Sequence, residues 1–116
     1  MSLHEIIEES ELASALAEEH FLLFKHSRTC PTSAFAFAEY KQFLEKDPGV
    51  STAWLDVVAR RPLSQGVAAD TGVRHESPQA LLFHRGQVVW HASHGAITVS
   101  SLGQALQDQS GLSSSK

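Results

Sequence analysis

The sequence predicts an α/β layer fold with a mixed sheet, and three observations carry that reading. Phe21-Leu22-Leu23-Phe24 is a continuous apolar run, too brief for a helix and suited to a strand covered on both faces. Beyond Cys30-Pro31, Phe37, Tyr40 and Leu44 recur at i, i+3 and i+7 until Asp47-Pro48-Gly49 stops the pattern. Residues 80–83 and 88–90 are apolar and flank a short polar segment holding Arg85-Gly86, a hairpin signature. Helix alternating with strand, followed by a hairpin, calls for helices packed on the faces of one sheet.

Each element has its own local cause. Ser10 is placed to cap a first helix, with Glu11 in its first turn and Leu12, Ala15, Leu16 and Glu19 at helical spacing. The run 21–24 reads as a central parallel strand. Cys30 falls where strand gives way to helix, and Pro31 fits the first helical turn because its missing N–H has no intrahelical partner there. Ala53-Trp54-Leu55-Asp56-Val57-Val58 reads as the next strand. Residues 62–71 read as a weaker helix, interrupted by Gly66 and ended by Gly72. These pieces form an N-terminal β-α-β unit with a right-handed crossover. After the hairpin, Thr98 caps a final helix whose Val99, Leu102 and Leu106 share a face. The small polar tail 110–116 reads as frayed and flexible, leaving a single domain over 1–109.

Composition narrows the function. With 116 residues, 42% of them hydrophobic and 19% charged, the chain can bury one core and is too apolar to be disordered. Thirteen acidic residues against nine basic ones give a net charge of -4, and no Lys/Arg stripe offers a footprint for a phosphate backbone. Nucleic acid is therefore not an expected partner. The first residues, Met1-Ser2-Leu3-His4-Glu5, lack a basic segment and an apolar h-region, and no run approaches the ~20 apolar residues of a membrane span. No membrane partner is expected, and the expected compartment is the cytoplasm.

A single cysteine rules out an internal disulfide framework and a zinc site built from several thiolates. A lone cysteine most often packs as an inert hydrophobe. The neighbours of Cys30 argue otherwise. A helix N-terminus offers unpaired N–H groups and the positive end of the macrodipole, which favour the reactive thiolate. Lys25, His26 and Arg28 precede it and are candidates to add positive potential. Ser33 stands where a C-x-x-C pair would carry its second sulfur. Its hydroxyl can donate toward the Cys30 sulfur or serve as an ordinary first-turn serine. In either case a mixed disulfide on Cys30 has no resolving thiol on this chain, so a thiol from outside must complete a cycle.

Three segments, Lys25-His26-Ser27-Arg28-Thr29-Cys30-Pro31-Thr32-Ser33, Val73-Arg74-His75-Glu76-Ser77-Pro78-Gln79 and Trp90-His91-Ala92-Ser93-His94-Gly95-Ala96-Ile97-Thr98, occur in an order and spacing that resemble the monothiol bacilliredoxins. These are redox-active proteins of the bacillithiol system with a T-C-P-x-S motif. The resemblance spans about residues 21–106, and Thr32 stands where many members carry a larger aliphatic residue. It implies a thioredoxin-like fold, a helix before the sheet, a cis peptide at Ser77-Pro78 facing Cys30, and a terminal hairpin and helix. It further implies Cys30 and Ser33 as catalytic positions, with Thr29, Pro31, Ser77 and Pro78 binding substrate, partly through main chain near Ser77. The implied activity is removal of bacillithiol from S-bacillithiolated proteins. Bacillithiol serves as a low-molecular-weight thiol co-substrate, and no cofactor is bound permanently.

Other readings fit less well. Seven histidines raise a metal site, chiefly at His91 and His94 with His75 and His84 near them in sequence, but residues three apart on a strand face opposite ways. No metal site is expected. His75 and His94 instead suit loop orientation or the rim of the active site, and His4, His20 and His84 read as surface polar residues. There is no G-x-S-x-G elbow for an acyl hydrolase, and no arginine from Pro31 to Ala38 for a cysteine phosphatase. Phe35, Phe37 and Phe43 read as helix packing. A redox-sensing or interaction module without turnover, and an iron–sulfur carrier like some monothiol glutaredoxins, are the alternatives for Cys30.

Overall fold

The computed structural model describes residues 3–114, with side chains through residue 109. In chain order the elements are α1 (Glu9–Leu16), β1 (His20–His26), α2 (Pro31–Glu45), β2 (Ser51–Asp56), α3 (Arg61–Thr71), β3 (Gln79–His84), β4 (Gln87–Ser93), a single 3₁₀ turn at His94–Ala96, and α4 (Val99–Ser114). The sheet has the order β2-β1-β3-β4. β1 runs parallel to β2 and antiparallel to β3, and β3 and β4 form the antiparallel hairpin with a register shift at Leu82/Phe83. The α/β fold with a mixed sheet is thus present, with β1 at its centre.

Strand alternation sorts β1 into two faces. Leu22 and Phe24 join Tyr40, Phe43 and Leu44 of α2 and Leu102 and Ala105 of α4 in one core layer. Phe21 and Leu23 join Leu12 of α1, Val67 of α3, and Leu81 and Phe83 of β3 in the other. Both faces are covered, which is why the run 21–24 is apolar throughout. The chain before α1 adds to the sheet beside β2: Ile6 N–H donates to the Trp54 carbonyl at 2.8 Å, and Trp54 N–H to the His4 carbonyl at 2.9 Å.

Several boundaries differ from the sequence reading. The N-cap of α1 is Glu8, not Ser10. Glu11 Oε1 accepts the N–H groups of Ile7 and Glu8, each at 2.8 Å, so one carboxylate satisfies donors that a serine cap would have served singly. β2 starts and ends two residues before the expected strand, because Asp56 Oδ1 accepts from Val58 and Ala59 N–H at 3.0 and 2.9 Å and turns the chain off the sheet. α3 is continuous through Gly66, and Gly72 closes it in the left-handed conformation at φ 74°. Thr98 caps α4 as expected: Ser101 N–H donates to Thr98 Oγ1 and Thr98 N–H to Ser101 Oγ, both at 2.9 Å. α4 runs on to Ser114, past the expected boundary at 109, and residues 115 and 116 of the expected tail lie outside the described residues.

Candidate active site

Cys30 is the N-cap of α2, with extended backbone (φ −105°, ψ 120°) and Pro31 directly after it. Its N–H donates to the Ser27 carbonyl at 3.3 Å and its carbonyl accepts from Ala34 at 3.1 Å, so it is tied to the strand end and the first helical turn at once. The thiol is free and half-buried. The sulfur therefore sits at the positive end of a 15-residue helix, as the spacing predicted.

Ser33, in the first turn, is fully buried. Its Oγ accepts from Ser27 N–H at 2.9 Å and lies 2.7 Å from His26 Nδ1. The hydroxyl thus bonds the end of β1, a partner that neither role expected of it included. His26 in turn stacks on Phe37, with ring centroids 4.2 Å apart and planes within 16°, and meets Trp54 edge-on at 5.6 Å. Burial pushes the His26 pKa down, opposed by the Asp56 carboxylate and reinforced by Arg28 and Lys41.

The three basic neighbours of Cys30 are each engaged elsewhere. Arg28 Nε pairs with Asp56 Oδ2 at 3.0 Å, its Nη2 lies 3.6 Å from Glu5 Oε2, and its guanidinium covers the Trp54 ring at 5.1 Å. Lys25 is fully buried on the opposite face, where Nζ donates to the Ser64 carbonyl at 3.2 Å and burial lowers its pKa to about 8. Lys25 lies opposite Gln79 on β3, and the buried Gln79 Oε1 has no hydrogen-bond partner among the described residues. His75 Nδ1 lies 3.2 Å from Ser64 Oγ, and burial also lowers the His75 pKa.

The β1/β3 register ends at Lys25 and Gln79, and Ser77-Pro78 immediately precedes Gln79 at that end of β3. The Ser77-Pro78 peptide is cis, as the resemblance implied. His94 N–H donates to the Pro78 carbonyl at 3.1 Å and His94 Nε2 lies 3.6 Å from Glu76 Oε1, so His94 does orient this loop. Ser77 Oγ is buried with no hydrogen-bond partner among the described residues. Thr29 is exposed, with Oγ1 3.4 Å from Ser27 Oγ, and Pro31 is exposed too. Thr29, Cys30, Pro31 and Ser33 thus lie together at the junction of β1 and α2, while Ser77-Pro78 leads into β3, the strand paired with β1.

The phenylalanine set divides: Phe43 is core, Phe37 is half-buried on His26, and Phe35 is 77% exposed. Asp56 and Phe37 were missed as site residues, and His26 was read only as a source of positive potential, not as the partner of Ser33. The available signal was the phase of β1, since His26 follows Leu22 and Phe24 on the face that α2 covers.

Comparison with known proteins agrees with this geometry. The chain matches the monothiol bacilliredoxin BrxC family over residues 2–102. A solved structure described as "A putative oxidoreductase with a thioredoxin fold" is 38% identical, covers 89% of this chain and 92% of its own, and superimposes with a TM-score of 0.82. Thioredoxins from Malassezia sympodialis (17% identity, 94% and 91% coverage, TM-score 0.77) and Trypanosoma brucei brucei (14%, 93% and 90%, 0.74) share the fold. The chain has a thioredoxin-like fold and belongs to the monothiol bacilliredoxin family.

Proposed function

We propose that this protein removes bacillithiol from S-bacillithiolated proteins in the cytoplasm. The observation that carries the reading is the placement of the sequence's one cysteine, half-buried at the N-cap of α2, with a serine at the position of a second sulfur. The Cys30 thiolate attacks the bacillithiol sulfur of the modified protein. The protein's own cysteine leaves as thiolate and takes a proton from solvent, and a Cys30–bacillithiol disulfide remains. A second bacillithiol thiolate attacks the bacillithiol sulfur of that disulfide, releasing bacillithiol disulfide and restoring the Cys30 thiolate. The mixed disulfide on the protein is reduced to its thiol, and one free bacillithiol is consumed as it joins the one removed from the protein in bacillithiol disulfide.

Ser33 holds the start of α2 against β1 while Cys30 does the chemistry. Thr29 and Pro31, exposed beside Cys30, and the Ser77-Pro78 backbone bind the substrate chain. Among the described residues no helix is long and apolar enough to cross a membrane. Turnover of a bacillithiolated peptide tests the reading: Cys30→Ser loses it while keeping the fold, and the wild-type rate rises with added bacillithiol. Turnover retained by Cys30→Ser would overturn it.

A further inference from the structure

The other end of β1 holds a cluster that the redox site does not use. His20 opens β1, His84 closes β3, and the antiparallel register places them directly opposite each other. His84 Nδ1 and His20 Nε2 are 3.2 Å apart, with ring centroids 4.7 Å apart and planes tilted by 42°. Glu19, the preceding residue, completes a set in which one donor atom from each side chain lies within 4.8 Å of the others. We propose that Glu19, His20 and His84 bind one divalent ion of the zinc class, with solvent completing the coordination.

The geometry supports this beyond mere proximity. Two nitrogens bound to zinc at ~2.0–2.1 Å across a tetrahedral angle are separated by roughly 3.3 Å, close to the spacing already held here. Both imidazoles sit on paired strands and Arg85 N–H holds the Glu19 backbone carbonyl at 2.8 Å, so the exposed Glu19 side chain is the main part an ion would have to order. Two imidazoles and one carboxylate suit zinc and its transition-metal neighbours, whereas magnesium and calcium take all-oxygen sets. Three protein ligands leave an open position, and His20 also borders an open cavity of about 390 Å³ beside Pro48 and Leu106. The site is distinct from Cys30: β1 has seven residues. At ~3.3 Å of rise per residue, that separates its two ends by roughly 20 Å.

Zinc titration of the tag-free, full-length Cys30→Ser protein, which removes the competing thiol, tests the site by calorimetry and thermal unfolding. One zinc per chain is expected, with a raised unfolding midpoint. His84→Ala and His20→Ala each weaken binding at least tenfold and remove the shift, Glu19→Gln weakens it less, and His91→Ala leaves it unchanged. In the unsubstituted-histidine protein, zinc also shifts the NMR signals of the His20 and His84 rings, a readout that does not depend on the variants folding. No binding up to millimolar zinc, zinc binding unaffected by His84→Ala, or ring signals that stay in place would show the pair to be a simple cross-strand hydrogen bond and overturn the proposal.

Discussion

Lys25 and His26 are neighbours at the end of β1, yet alternation sends them to opposite faces, and the fold accommodates two buried polar groups in different ways. His26 is enclosed by partners: the Ser33 hydroxyl at 2.7 Å, the Phe37 ring, and the carboxylate of Asp56 within electrostatic reach. Lys25 has one carbonyl at 3.2 Å and, among the described residues, no carboxylate pair, with an unpartnered Gln79 oxygen on the adjacent strand. The partnered face is the one that carries the start of α2 and thus Cys30. Positional precision there is built from hydrogen bonds and stacking, while the other face keeps a cation at a cost in stability.

Both groups titrate below their ordinary values, so both make stability rise with pH, in different windows. The larger effect belongs to Lys25. With a folded pKa of about 8 against 10.5 unfolded, the unfolded chain binds more protons between those values, and stability climbs across that range. The gain is bounded at about 3 kcal/mol, from ~1.4 kcal/mol per pH unit. Denaturant unfolding at pH 7.5 to 10.5 should show the climb in the wild type and its loss in Lys25→Met, which should also be no less stable at neutral pH. A flat wild-type profile would mean that the ammonium is better solvated than its burial indicates.

Ser33→Ala addresses the other face directly. It strips the partner from Ser27 N–H and from His26 Nδ1, both buried, and should cost about 2 kcal/mol in unfolding free energy. Ser33→Cys sharpens the same point chemically. A second sulfur in the first turn of α2 competes with external bacillithiol for the Cys30 mixed disulfide, and turnover should depend less on added thiol. Two free thiols in the oxidised variant, with unchanged thiol dependence, would show that the side chain stays turned toward His26.

The smallest effect is expected from His26→Phe, within about 1 kcal/mol at pH 7, since a phenyl ring keeps the stack on Phe37 and Ser33 keeps its bond from Ser27. Because burial lowers the His26 pKa, the wild type loses stability as pH falls below 6.5 toward the folded value. The variant should lose less over the same interval, as read by thermal midpoints between pH 7 and 5.

The sequence made β1, α2 and the hairpin legible because each carries one strong local signal: an apolar run, a Pro31-led helical period, and a polar turn between apolar strands. Boundaries decided by side-chain bonds were not legible. Glu11 placed the N-cap of α1 at Glu8, and Asp56 ended β2, because each carboxylate caps N–H groups whose positions depend on the fold. The same holds for the site. Cys30 and Ser33 could be found from spacing, whereas the tie from Ser33 to His26 requires the end of β1 to lie against the first turn of α2. Lys25 and Arg28, expected as sources of positive potential for the sulfur, are held by Ser64 on one face and by Asp56 and Glu5 on the other.

The central claim is that Cys30 alone takes bacillithiol and that only an external thiol releases it. Intact mass spectrometry of the reduced protein after one equivalent of a bacillithiolated peptide measures this most directly. The account predicts a bacillithiol adduct on Cys30, a free peptide thiol in equal amount, and an adduct that persists until bacillithiol is added. A protein that stays unmodified while the peptide is reduced, or an adduct that disappears without added thiol, would contradict it.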